Sequence, residues 1–324
     1  MIAHLQQGIT VALVLLAAAW GYFFVASGGY FIAIAGVLLI LLGHAFFLGA
    51  EFCLVARYGA EKEPIVEAAR IKSLLRAWVG EVLRTPLVFC WRQPFRSMSE
   101  PDYLPETGSP RRGVVFVHGF VCNRGIWNPW LKKFRAQGVA CMAVNLEPPF
   151  CSIDGYRHII DAAVRKVEAV TGQPPLVVAH SMGGLAVRAW MAEVGGADRV
   201  ARVITVATPH RGTWIARFSH TVNGGEMRQS SAFIQGLAAR ESPAIRQRFV
   251  CFFGNCDNIV FPPSMGTLPD ADNRHLPGTA HVQMLYHPSV MEEVVRSLGG
   301  DREPSHSPAA GYPASGEATK LRVP

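Results

Sequence analysis

Three side chains could together activate a hydroxyl group, and they occur in the order serine, aspartate, histidine. Ser181 lies in Ala179-His180-Ser181-Met182-Gly183-Gly184, directly after the apolar run Leu176-Val177-Val178. That run reads as a buried strand, and the spacing of Leu185, Val187 and Trp190 reads as a helix after it. A serine at such a strand-to-helix turn, with small residues two before and two after it, is lifted above the sheet toward a helix N-terminus. Its hydroxyl is a poor nucleophile until a base takes its proton and a carboxylate orients that base. Asp257 follows the apolar run 249–253 within Gly254-Asn255-Cys256-Asp257-Asn258-Ile259-Val260. His281 follows Gly278-Thr279-Ala280 and precedes a helix-like stretch over 288–298. Asp257 and His281 are therefore the expected acid and base. Asp270 and Asp272, in a Pro-rich loop, and His275 and His287, flanking His281, are the weaker competitors.

Negative charge developing on a substrate oxygen needs backbone donors aimed at it. One is the N–H of Met182, at the start of the helix. The second is expected after the apolar run Val114-Val115-Phe116-Val117, where His118-Gly119-Phe120 follows. Gly119 lets the backbone come close, the Phe120 N–H is the candidate donor, and Val121 is the alternative. His118 is expected to order this loop. His210, in Ala207-Thr208-Pro209-His210-Arg211-Gly212, comes too early to be the base and is assigned to the site wall. With His118, Gly119, Trp214 and Phe218 it makes up the expected substrate contacts.

These residues need a frame. Apolar runs at 114–117, 139–145, 176–179, 203–207 and 249–253 read as strands, with a helical period over 156–171 between the second and third. Strands apolar throughout and separated by helices imply a mostly parallel sheet covered on both faces. About forty residues separate the fourth and fifth strands, room for a lid hinged at Gly224-Gly225 or for packed helices.

The start of the chain is of another kind. Residues 9–26 and 30–50 carry no charge and are divided by Ser27-Gly28-Gly29. Each run is long enough, at 1.5 Å per helical residue, to approach the roughly 30 Å of a bilayer core. Two transmembrane helices joined by a tight turn is the preferred reading. One tilted span plus an interfacial helix is the alternative, and a signal peptide is disfavoured because no Lys or Arg precedes the first run. Trp20, Tyr22 and Tyr30 suit an aromatic belt, and His44 reads as a neutral imidazole near a helix end. Arg57, Lys62, Arg70 and Lys72 follow the second run, so the positive-inside rule favours a cytoplasmic domain. Over 65–89, Ile71, Leu74, Leu75, Trp78, Val79 and Val82 recur at helical spacing, predicting an amphipathic helix that Pro86 ends. It lies either on the membrane surface or against the domain. The expected organisation is a hairpin over 1–52, a connector and linker over 53–110, an α/β domain over 111–300 and a disordered tail over 301–324.

The sequence resembles the bacterial lipase and esterase branch of the α/β-hydrolases. The likeness rests on His118-Gly119-Phe120, Ala179 to Gly184 (with Ala179 where a glycine is more usual), Thr208 to Thr213 and Asp257 to Val260. It spans about 111–299 and excludes the hairpin. The resemblance is also to membrane-anchored bacterial lipase-like proteins, some of them phospholipases. It implies an α/β-hydrolase fold, cleavage of carboxylic esters of lipids through an acyl-enzyme, no organic cofactor and an inner-membrane location. Some lipases of the branch bind structural calcium, but no carboxylate cluster here calls for a metal. Acyl transfer by the same three residues, or a non-catalytic membrane scaffold, are the alternatives. A net charge of +7 without Lys/Arg runs interleaved with aromatics makes a nucleic-acid partner unexpected. Seven scattered cysteines form neither a disulfide framework nor a zinc site and are expected as free thiols. Oligomeric state is not legible.

Overall fold

The computed structural model describes residues 1–106, 109–194 and 196–299 and the backbone of 319–321. Two long helices come first, α1 (Ile2–Ala26) and α2 (Tyr30–Tyr58), folded back on each other. The turn between them uses Gly28 at φ 79°, a left-handed conformation that glycine adopts without strain. Near it, Trp20 fills a notch that a Cβ on Gly36 would close, and its indole N–H donates to the Ile32 carbonyl at 3.0 Å. Both helices outrun their apolar segments, because polar residues at their ends are used rather than solvated. Gln6 donates to Gln93 (3.2 Å) and to the Val121 carbonyl (3.1 Å), and Glu51 is buried. His44 bridges to the Val82 carbonyl at 3.1 Å, tying α2 to the next helix.

That next helix is α3 (Ile71–Thr85). The expected stop at Pro86 does not occur: the chain continues through a π-helical turn at Pro86–Arg92 into α4 (Gln93–Arg96). Proline lacks an N–H and crowds the carbonyl four residues back, and the wider π turn accommodates both. The helix uses two faces. Leu74, Ala77 and Glu81 are buried, whereas Ile71, Leu75, Val79 and Leu83 point outward, and the outward apolar stripe continues through Leu87, Trp91 and Phe95. Part of the expected linker is structured as well, since Tyr103 pairs antiparallel with Cys141. Its Gly108 lies outside the described residues.

The remaining elements are β1 (Val114–Val117), α5 (Asn128–Ala136), β2 (Cys141–Ala143), α6 (Arg157–Thr171), β3 (Leu176–His180), α7 (Met182–Val194) and β4 (Arg202–Val206). After these come α8 (Val222–Glu226), α9 (Ala232–Arg240), α10 (Pro243–Arg246), β5 (Phe249–Phe253), β6 (Asp272–His275), α11 (His281–Met284), α12 (Pro288–Leu298) and β7 (Thr319–Leu321). The sheet runs β2-β1-β3-β4-β5-β6-β7, the first six strands parallel and β7 antiparallel to β6. Alternate residues of β1 enter opposite cores: Val115 and Val117 pack with α6 and α7, Val114 and Phe116 with α5 and α12. A strand buried on both faces must be apolar throughout, which is why the five runs were readable. Strand β6 was not, because Asp272-Asn273-Arg274-His275 has no apolar run. Two of its side chains are held by polar partners, Asn273 exchanging two 2.9 Å bonds with the Leu268 backbone and Arg274 pairing with Asp272 and Glu293. The tail expected to be disordered lies outside the described residues except for β7. All seven cysteines are free thiols.

Candidate active site

Parallel strands deliver their following loops to one edge of the sheet, and the candidate residues gather there. Strained backbone gathers there too. Val121, Phe150, Ser181 and Ala207, which follow β1, β2, β3 and β4, have φ of 53°, 68°, 53° and 54°. Each such non-glycine conformation costs on the order of 1–3 kcal/mol and persists only where surrounding contacts enforce it.

At Ser181 those contacts are explicit. Its N–H donates to the Val206 carbonyl at 2.9 Å, and its own carbonyl accepts the Thr208 hydroxyl at 2.9 Å. Helix α7 begins at the next residue. A Cβ on Gly183 would sit 2.5 Å from the His118 carbonyl oxygen, so only glycine lets the elbow pack on the loop after β1. Within that loop, a Cβ on Gly119 would lie 2.8 Å from Ser181 Cβ and 3.4 Å from its Oγ. The His118-Gly119-Phe120 loop thus meets the serine directly. His118 orders it: Nδ1 donates to the Gly119 carbonyl and Nε2 accepts the Leu146 N–H, both at 2.9 Å. Burial lowers His118 to about 4, which keeps the ring neutral, as this donor–acceptor pair requires. Phe120, Met182, Phe150, Tyr156 and Ile2 line a small cleft beside this loop.

Asp257 and His281 are brought together. The imidazole Nδ1 lies 2.9 Å from Oδ1 and 3.1 Å from Oδ2 of Asp257. The carboxylate is itself fixed, with Oδ1 accepting the Ile259 and Val260 N–H groups, each at 2.8 Å. Nδ1 is therefore the donor nitrogen, leaving Nε2 to act as a base. Burial pulls the His281 pKa down, but Asp257, Glu81 and Glu51 outweigh it and the net shift is upward. His180, the residue before Ser181, packs its ring against His281 with centroids 4.8 Å apart. Burial holds His180 well below the ordinary value, so it adds no charge.

The other candidates are elsewhere. Asp270 pairs with Arg246, His275 lies on Phe253, and His287 accepts the Ser289 N–H at the start of α12. His210, assigned to the site wall, is 1% exposed, with its ring 3.0 Å from the Thr205 hydroxyl and edge-on to Phe249. It belongs to the interior, because Arg188 draws its carbonyl inward at 2.6 Å. Trp214 stacks on Tyr58 of α2 at 4.2 Å and carries Phe218, which is exposed. Gly224-Gly225 is not an open hinge: it sits in α8, capped by the Thr221 hydroxyl.

Three site residues were not anticipated: Glu51, Glu81 and Asn258. Asn258 Oδ1 accepts the His281 N–H at 3.2 Å, and Glu51 accepts from Asn258 Nδ2 at 2.6 Å. Glu81 accepts from Val282 and Gln283. One signal was available: Glu81 stands seven residues after Leu74, on the same helical face, where an acid is out of place.

A strained serine elbow whose His180 touches a carboxylate-bound histidine, on a mostly parallel sheet, defines a class. Residues 114–313 match the alpha/beta hydrolase family, and the chain belongs to that family. The fold is similar to that of a Bacillus licheniformis lipase in its mature form, with a TM-score of 0.53 and 16% identity, over 61% of this chain and 96% of that one. It is also similar to Aspergillus fumigatus lipase B, with a TM-score of 0.54 and 17% identity, over 66% of this chain and 60% of that one. No curated protein matches the chain.

Proposed function

We propose that this chain is a membrane-anchored serine hydrolase that cleaves carboxylic esters of lipids. The observation that carries the reading is the Nδ1-to-Asp257 bond of His281, whose ring packs against His180, the residue before the positive-φ Ser181. Ser181 attacks the ester carbonyl while His281 Nε2 takes its proton, and Asp257 stabilises the imidazolium. The Met182 and Phe120 N–H groups bind the oxyanion, the alcohol leaves with the His281 proton, and water activated by His281 releases the acid. The lipase neighbours support an ester substrate.

Membrane attachment has its own support. Helices α1 and α2 have 25 and 29 residues and present leucine, isoleucine, valine and phenylalanine outward over most of their length. At 1.5 Å per residue they reach about 37 and 43 Å, beyond the roughly 30 Å hydrocarbon core. The outward stripe of α3 and α4 continues that surface as an interfacial element, and the basic residues after α2 favour the cytoplasmic face. The protein is expected to stay with the membrane pellet after alkaline carbonate extraction; release into the supernatant would overturn the anchoring.

The catalytic test uses the full chain in detergent, with p-nitrophenyl esters of graded chain length and phospholipid vesicles. Turnover and covalent labelling by a fluorophosphonate are expected. Only neutral His281 is a base, and its pKa is raised. The rate is therefore expected to fall, as pH decreases, through a midpoint above the ordinary imidazole value of about 6.5. Folded protein that neither labels nor turns over ester would sink the reading.

A further inference from the structure

The backbone around His281 ends on carboxylates from outside the matched family region. That region begins at residue 114, whereas Glu51 belongs to α2 and Glu81 to α3. Glu81 is 1% exposed and Glu51 7% exposed. Oε1 of Glu81 accepts the Val282 N–H at 2.8 Å and Oε2 accepts the Gln283 N–H at 3.2 Å. Gln283 answers with its side chain, Nε2 donating to the Ala77 carbonyl at 3.4 Å and Oε1 accepting the Ala280 N–H at 3.2 Å. Gly80 makes the approach possible, since any Cβ there would collide with the Gln283 amide. On the other side, Glu51 holds Asn258, and Asn258 holds the His281 N–H. Three consecutive backbone donors, at 281, 282 and 283, thus lead to two acids of the N-terminal segments.

Docking a helix on a domain does not require this. Burying a carboxylate costs several kcal/mol, and apolar residues at 51 and 81 would pack without it. Among the described residues neither acid has a Lys or Arg partner. The charged group they share is the imidazolium that His281 becomes when it takes a proton. Asp257 faces it from the loop after β5, Glu51 from α2, Glu81 from α3, and His180 from the end of β3.

We infer that Glu81, with Glu51 acting through Asn258, is a positioning residue for His281, so that the N-terminal helices and the α/β domain form one catalytic unit. The inference rests on His281 being the base. Two effects follow from one contact: the imidazole is held in register with Ser181, and negative charge nearby favours its protonated form. Glu81 itself is raised to about 7 by burial, against the Val282 N–H and the nearby His281, which lower it. Around neutral pH its charge responds to that of the histidine.

The test compares Glu81→Gln, Glu51→Gln and Glu81→Ala with the wild-type full chain in detergent. Glu81→Gln keeps shape and an acceptor but removes charge. The acid limb of kcat/KM is expected to move to lower pH by about one pH unit, since losing an opposite charge disfavours the imidazolium. Glu81→Ala leaves two backbone donors unpaired, and kcat is expected to fall about 100-fold with KM little changed. A merely structural Glu81 would lower thermal stability and active fraction but leave the limb in place. An unmoved limb and kcat in folded Glu81→Gln would overturn the proposal, and Glu51→Gln supplies the same test should Glu81→Gln not fold. The His281 titration is also read directly, by NMR of ring-15N-histidine protein. If no variant turns over ester, a downward shift of that titration still supports the contact while the hydrolase reading fails; no shift overturns it.

Discussion

Ser181→Ala is expected to abolish turnover of a soluble ester, lowering kcat by about 10⁵–10⁶-fold, while the protein stays folded and bound to its membrane. The size follows from what the substitution removes and what it leaves. It removes the hydroxyl proposed to form the acyl-enzyme. It leaves the backbone that presents it, because alanine meets the same φ of 53° and the Val206 and Thr208 bonds engage main-chain atoms. The proposed oxyanion donors, the Met182 and Phe120 N–H groups, also remain, and an oxyanion hole together with substrate binding sustains roughly 10³-fold acceleration over water. A small residual rate is therefore expected, without fluorophosphonate labelling. Wild-type turnover by Ser181→Ala would show that the chemistry lies elsewhere.

Asp257→Asn is expected to lower kcat by about 10⁴-fold, with KM nearly unchanged. The geometry makes the cause specific. Oδ1 of Asp257 accepts from both Ile259 and Val260, so asparagine keeps its carbonyl oxygen there and puts its NH₂ group in the Oδ2 place, 3.1 Å from Nδ1. An amide N–H in that place favours Nδ1 as an acceptor with the ring proton on Nε2, and Nε2 in that tautomer can no longer take a proton. Loss of the Asp257 charge also lowers the His281 pKa, so the acid limb of the residual activity is expected to move to lower pH. Stopped assays across pH, beside a thermal melt, separate this from unfolding. A variant that retains full kcat would remove Asp257 from the mechanism.

Both expectations concern the part of the molecule that was legible. Strands β1, β3, β4 and β5 are buried on both faces and so announce themselves as apolar runs, and the turn after β3 is marked by small residues that a sharp elbow demands. What was illegible has physical causes as well. Strand β6 is polar because Asn273 bonds to the Leu268 backbone and Arg274 pairs with Asp272 and Glu293. The helix through Pro86 persists because a π turn absorbs the ring. The apolar face of α3 could meet either membrane or protein, and in the fold much of it points outward while Leu74, Ala77 and Glu81 are buried. Hydrophobic periodicity reports that a helix has two faces, not which of them meets protein.

By itself, the sequence determined the elbow around Ser181, the order of Ser181, Asp257 and His281, and two apolar N-terminal helices. These are local properties: each depends on a few neighbouring residues and their backbone preferences. Only the tertiary structure decided that His210 is interior, and that Glu51, Glu81 and Asn258 surround the histidine. Those contacts join residues some 200 positions apart, Glu51 to Asn258 and Glu81 to Val282. Apart from an acid on the Leu74 face of α3, carboxylates satisfied at that distance leave no motif behind, because their partners are backbone N–H groups and a single amide, which carry no distinctive sequence.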